Sequence, residues 1–247
     1  MGVIYIMWLR QLKRYWRSRA RMIGSIGQPL LFLVALGFGF GNIFQKAGQG
    51  NYIEFLTPGI IAMSILFTGM FSGIEVIWDR QFGFLKETLV APVSRAKIMI
   101  GRTLGGATVS FLQGLFILVL SLLFGFKLNI IGLPLAIVFM LLIALLFTAF
   151  GTAIGSVLGD MQAFPLIINF IIMPLFFLSG ALFPLDNVPK ALSIILRLNP
   201  LSYGVDGVRG ALLGVFKLGL FTDFVVIILT TIIVGIIGTY LFSKITV

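Results

Sequence analysis

Six apolar runs without a single charged residue dominate this chain of 247 residues, and no other feature restricts its fold so severely. They are Met22–Gln45, Phe55–Ile74, Thr103–Phe126, Leu128–Gly159, Met161–Leu185 and Phe224–Ser243, and no other charge-free run comes close in length. A run of roughly 18 or more apolar residues can cross a hydrocarbon core about 30 Å thick as a helix, and a helix satisfies its own backbone polar groups inside lipid. The composition agrees: 59% of residues are hydrophobic, 11% are charged, and the mean hydropathy is +1.13, far from ordinary soluble domains. The pattern predicts one all-α polytopic membrane domain over residues 1–247, with six transmembrane helices and neither an internal repeat nor a low-complexity linker.

An even number of spans puts both termini on one side, and Lys and Arg in short flanking segments say which. Arg10, Lys13, Arg14, Arg17, Arg19 and Arg21 precede the first run, and Arg80, Lys86, Arg95, Lys97 and Arg102 lie between the second and third. The first two loops on the other side offer only Lys46 and Lys127, so both termini are expected in the cytoplasm, with the chain in the plasma membrane. Lys190, Arg197, Arg209 and Lys217 run against this bias. The formal charge of +10 is therefore read as topology and attraction to anionic lipid rather than as binding to nucleic acid. With no Cys and no His, disulfides, thiol chemistry and the commonest metal ligands are excluded. A basic segment before an apolar one looks superficially like a leader, but the apolar run is too long for one and is expected to be retained.

Residues 1–21 form an amphipathic pattern at about 100° per residue. Arg10, Lys13, Arg14, Arg17 and Arg21 share one arc, and Ile4, Tyr5, Trp8, Leu12 and Tyr15 lie opposite; Arg19 falls on the apolar side, next to Ser18. This predicts an N-terminal interfacial helix with aromatic rings at headgroup depth and cations toward phosphate, Trp8, Arg10, Arg14 and Arg17 among them. An ordinary basic flank that merely orients the first span is the alternative.

The spans lack ionisable residues near their middles, which removes the groups that gradient-driven carriers usually need. Gly-Lys never occurs, so no P-loop can be built. The acids Glu75, Asp79, Glu87 and Asp160 are not spaced like metal ligands or an acid–base pair, which argues against an enzyme and against a metal site. Glycines four residues apart, Gly69 with Gly73, Gly101 with Gly105, and Gly151 with Gly155 and Gly159, mark faces where helix backbones approach closely, within the chain or across a dimer.

The stretch DRQFGFLKETLVAPVSRAKIMIGR, Asp79 to Arg102, is the polar exception between the second and third runs. Phe82, Phe84, Leu85 and Leu89 are apolar within it, and a short helix there has to end before Pro92, because a proline pushes the preceding residue, Ala91, out of the helical region. Apolar side chains on such a helix need a surface to cover them, either a partner or the membrane interface. From Pro184 to Lys217 the last outer segment predicts two short helices: Pro189 opens one, Asn199-Pro200 interrupts it, and a second from Ser202 to Leu213 sets Asp206 and Arg209 at i,i+3.

Three segments, ETLVAPVSRAKIMIGR after the second run, FFLSGALFPLDNVP closing the fifth and LNPLSYGVDGVRGALLG before the last, together resemble the sequence pattern of type-2 ATP-binding-cassette (ABC) exporter permeases. The resemblance covers essentially the whole chain in order. It implies an N-terminal interfacial helix, a cytoplasmic coupling helix over Gln81 to Leu89 that docks on a separate P-loop ATPase, and a re-entrant helical segment over 184–217 before the last span. Within it Phe82, Leu85 and Glu87 become contacts of the coupling loop, residues 78–97, while Pro92 and Arg95 position its exit. Asn199, Pro200, Asp206 and Arg209 belong to an outer gate. The implied function is a permease homodimer with no cofactor of its own, the ATP and Mg being bound by the partner ATPase, that exports a hydrophobic or amphipathic substrate such as a drug, lipid or lipid-linked glycan. The alternatives are an ATP-independent carrier or channel whose helices break at Pro134, Pro165 and Pro174, and a membrane assembly subunit that transports nothing.

Overall fold

The computed structural model describes residues 2–46, 50–90, 92–184 and 189–245. Ala91 and Leu185, which figure in the expectations above, lie outside the described residues, as do the side chains of Arg21 and Leu89. Among the described residues the secondary structure is helical throughout. In chain order the helices are α1 (Val3–Arg17), α2 (Arg19–Lys46), α3 (Tyr52–Gln81), α4 (Phe84–Val90), α5 (Arg95–Leu123), α6 (Leu133–Val157), α7 (Ala163–Ile167), a π-helical turn (Ile168–Ile172), α8 (Met173–Phe177), α9 (Lys190–Leu198), α10 (Pro200–Leu213) and α11 (Leu220–Ser243).

Five of these, α2 from Met22 onward, α3, α5, α6 and α11, are long and apolar enough to cross a membrane. The chain is a multi-pass membrane protein built around α3. That helix is buried on nearly every side, whereas α2 and α11 leave most of their apolar surface open. Its position follows from small residues. Gly69 and Gly73 face Thr148 and Gly151 of α6, and Gly155 faces Gly73 in turn. A Cβ added at Gly73 would stand 2.0 Å from the Gly151 carbonyl oxygen, so only hydrogen at that position lets the two backbones touch. These glycines serve packing within the chain. Asn51 caps the start of α3 by accepting from the Ile53 N–H at 3.0 Å, which satisfies one of the donors that a helix leaves free at its first turn.

The fifth apolar run departs from expectation. Its 25 residues do not form one long helix: α7, the π turn and α8 together run from Ala163 to Phe177, a rise of only about 22 Å. Pro174 explains the widened turn. It has no N–H to give, and its ring crowds the carbonyl four residues back, which a π turn relieves. After Phe177 the chain turns at Gly180 (φ 75°) and folds back on the top of α3, where Tyr52 donates to the Leu182 carbonyl at 3.0 Å. Pro134 and Pro165 do not break helices; both stand in first turns, where the missing N–H is not needed.

Candidate functional site

The N-terminus, the α3–α4 turn, the start of α5 and the end of α11 gather at one end of the bundle, the basic end. α1 ends at Arg17, and Ser18 alone separates it from α2. It lies along α5 in the same direction, with Ile4 and Met7 against Gly101, Trp8 and Gln11 against Gly105, and the Trp8 indole donating to Thr108 Oγ1 at 3.0 Å. Tyr15 reaches Gln113, donating to its side-chain oxygen at 2.7 Å. One face of the helix expected at the headgroups is seated in a protein groove, where Met7, Gln11 and Tyr15 are buried.

That seating turns two of the expected lipid-facing cations toward protein. Asp79, 4% exposed, accepts from Arg10 Nη1 at 3.0 Å and Nη2 at 2.9 Å, from Arg14 Nη1 at 3.2 Å, and from Arg102 Nη2. Arg14 also stands 3.8 Å from Glu75. The two-pronged grip of Arg10 on one carboxylate is the strongest geometry such a pair has. Arg102 is 1% exposed, and its charge is tolerated there only because Asp79 lies against it. The node holds three guanidiniums and two carboxylates and ties α1, α3 and α5 together. The signal was in the sequence: Arg10 and Arg14 are four residues apart, as are Glu75 and Asp79, so one helical turn of bases matches one helical turn of acids.

The segment expected to be the coupling loop grows out of this node. α3 runs on to Gln81, the chain turns at Gly83 with φ 78°, a value that favours glycine, and α4 follows. Arg10 bridges the two parts, its guanidinium 3.8 Å above the Phe84 ring while it grips Asp79. Leu85 is 0% exposed, packed with Met7, Val76, Met99 and Phe242. Of the contacts expected there, Leu85 is therefore an internal anchor, closed to any other subunit in this conformation. Phe82 is the reverse, 81% exposed, and Glu87, Val90 and Pro92 are exposed beside it. Arg95 donates to the carbonyls of Ser243 at 2.5 Å and Ile245 at 2.9 Å, so it closes the C-terminal end of α11. Arg17 is exposed.

At the far end, Asn199 caps α10 through the Leu201 N–H at 3.0 Å and donates to the Leu175 carbonyl at 2.6 Å, with Pro200 next to it in the first turn. Asp206 accepts from the backbone N–H of Lys217 at 2.9 Å and Leu218 at 2.7 Å. Arg209 donates to the Gly180 carbonyl at 2.9 Å and lies 4.0 Å over the Phe55 ring. α10 is buried among α3, α6 and α11. Among the described residues no group of three His, Cys, Asp or Glu could hold a metal ion.

A cavity of about 350 Å³ opens between α2 and α3, lined by Phe67, Phe71 and Trp78 together with Gln28, Ser64 and Glu75. Aromatic walls with a few polar groups suit a molecule of mixed character.

Comparison with known proteins agrees with this architecture. Residues 2–213 match the family described as ABC-2 type transporter. The chain is 34% identical over 207 residues to the transport permease ycf38 of Cyanophora paradoxa, covering 81% of this chain and 69% of that one. It is 28% identical over 212 residues to nodulation protein J of Rhizobium leguminosarum bv. trifolii, covering 85% and 78%. It is 25% identical over 227 residues to the inner membrane transport permease YadH of Escherichia coli (strain K12), covering 90% and 87%.

Proposed function

Since the chain belongs to the ABC-2 type transporter family, we propose that it is the permease subunit of an ATP-driven exporter, with α4 as the element that takes force from a separate P-loop ATPase. The observation that carries this reading is the contrast within a single turn: Leu85 buried and Phe82 almost fully exposed. A short helix pinned to its own protein through Leu85, with an exposed aromatic just before it and an exposed acid on it, is built to be pushed. Phe82, Glu87 and Val90 meet the ATPase, and Pro92 and Arg95 lead the chain from α4 into α5.

The node supplies the transmission. Arg10 holds both α4 and α3, Asp79 holds α1 and α5, and Arg95 holds the end of α11. A displacement of α4 therefore reaches four longer helices without passing through a flexible link. ATP binding and Mg belong to the partner; this subunit performs no chemistry. Two copies face one another and alternate between inward and outward access. The basic end faces the cytoplasm with both termini, in the plasma membrane. The short helix Ala163–Phe177 serves as the fifth of six crossings, with the fold-back to Pro184 at its outer end, and α9 and α10 form the re-entrant outer gate around Asn199, Pro200, Asp206 and Arg209. The cavity between α2 and α3 favours a hydrophobic or amphipathic substrate.

The test is purification of the chain from its native membrane in mild detergent. Recovery of a P-loop ATPase at equal stoichiometry, lost in Phe82→Ala but kept in Phe38→Ala on the α2 surface, supports the reading. Transport in liposomes by the chain alone overturns it.

A further inference from the structure

Two buried acids meet at the turn between α10 and α11. Asp206 accepts from the backbone N–H groups of Lys217 and Leu218. Asp223, in the first turn of α11, donates its own N–H to the Gly219 carbonyl at 3.0 Å, so both acids are tied to the same short turn. Their carboxyls lie within hydrogen-bonding reach of each other. Asp206 is 4% exposed and Asp223 0%, and among the described residues neither oxygen of Asp223 meets a donor. The surrounding charges are engaged or set elsewhere. Arg209 of α10 donates to the Gly180 carbonyl and lies over the Phe55 ring. Lys190 and Arg197 of α9, Lys217 of the turn and Lys127 before α6 are exposed. α3 brings Tyr52, which donates to the Leu182 carbonyl, and Glu54 in its first turn. α5 carries its ionisable residues only at the basic end, α6 has none, and α11 has no other before Tyr240. Of all these groups, Asp206 is the one that acts on Asp223. A carboxylate at 223 would be a buried charge without a donor, far costlier there than the neutral acid. Two carboxyls can hydrogen-bond to each other only when one of them holds a proton.

We propose that Asp206 and Asp223 bind one proton between them, carried on Asp223 and donated to the Asp206 carboxylate, and that this proton latches α10 to the start of α11. Asp206 is the charged member because two backbone N–H groups already point at it. A proton suits the pair better than a metal cation. Arg197, Arg209 and Lys217 line, with Asp206, a cavity of about 190 Å³, and their charge repels a multivalent cation, while no third acid completes a ligand set among the described residues. When the turn opens, Asp223 reaches water and releases its proton, and two carboxylates then repel each other. An aspartate in water loses its proton at about pH 3.9. Above that value the latched form holds one proton more than the opened form, so each pH unit favours opening by up to about tenfold until the latched form is deprotonated too. The latch needs only these two acids and their turn, and it stands or falls separately from the role of α4.

The test is infrared spectroscopy of the full chain in mild detergent at about pH 7, where ordinary carboxyls are ionised, reading the C=O stretch that a protonated carboxylic acid has and a carboxylate lacks. One such group per folded chain is expected, absent from the same chain unfolded at that pH. It is absent too from Asp223→Asn, whose amide keeps a donor for Asp206, and present in Asp160→Asn, at an exposed position. Limited trypsin digestion reads the latch itself. Cleavage after Lys217, measured against cleavage after Lys127 in the same digest, is expected to rise with pH by up to about tenfold per unit, and to stay level in Asp223→Asn. Four results overturn the proposal: no acid band from the folded protein, which makes both groups carboxylates; a band that survives Asp223→Asn, which puts the proton elsewhere; a band abolished by added calcium, which makes the pair a metal site; or a cleavage ratio in the unaltered protein that ignores pH, which leaves a proton without a latch.

Discussion

The two ends of the bundle hold charge in different ways. At the basic end Asp79 is shared among guanidiniums from α1 and α5, side chain to side chain. At the far end the charges reach backbone: Arg209 donates to carbonyls of the fold-back after α8, and Asp206 accepts from N–H groups of the α10–α11 turn. A side-chain network joins separate helices and can exchange partners as they tilt. A charge fixed on backbone carbonyls instead locks one irregular segment into one shape. On the reading proposed above, the basic end passes on movement and the far end holds a closure.

Four substitutions sharpen or break that contrast. The largest effect is expected from Asp79→Ala, which leaves Arg102 buried with its partner gone. Breaking a buried pair on one side costs about 3–5 kcal/mol, so the thermal midpoint in mild detergent should collapse; a midpoint near that of the unaltered protein would mean that the node is ornamental. Leu85→Ala follows, at about 2–5 kcal/mol, because it empties the packed space between α1, α3, α5 and α11. An unchanged midpoint would contradict its role as an anchor. At the far end Asn199→Ala removes the α10 cap and leaves the Leu175 carbonyl without its donor, costing about 1–2 kcal/mol. Limited proteolysis should then cut near α9 while the basic end stays protected; cleavage at the basic end first would break the contrast. Smallest in stability is Phe82→Ala, within about 0.5 kcal/mol because the ring packs on almost nothing, yet it should abolish ATPase association.

Much of this was legible beforehand. Hydrophobic run length places α2, α3, α5, α6 and α11, because in lipid a long apolar run has to be a helix. The glycine spacings marked real close approaches, Gly159 excepted, without saying between which helices, since α3–α6 contact and dimer contact need the same small residues. The fifth run was misread in length: counting apolar residues cannot see that Pro174 widens a turn or that Gly180 reverses the chain. Leu85 and Phe82 looked alike in sequence, both apolar in a polar loop. Only the turn at Gly83 sends one inward and the other out. The pairing of Arg10 and Arg14 with Asp79 was missed despite the matching four-residue spacings of bases and acids, because amphipathicity alone fits a lipid surface and a protein groove equally well, and the deciding contacts are the small Gly101 and Gly105 that let α1 settle on α5.

The most direct test of the account is site-specific photo-crosslinking in native membranes from benzoylphenylalanine placed at 82, 85 and 87. Crosslinks to a P-loop ATPase from 82 and 87 but not from 85, changing in yield when ATP is added, are the expected result. Crosslinks from 82 to lipid alone, or equal ATPase crosslinking from buried 85, would contradict the assignment of α4 as the element that takes force from the ATPase.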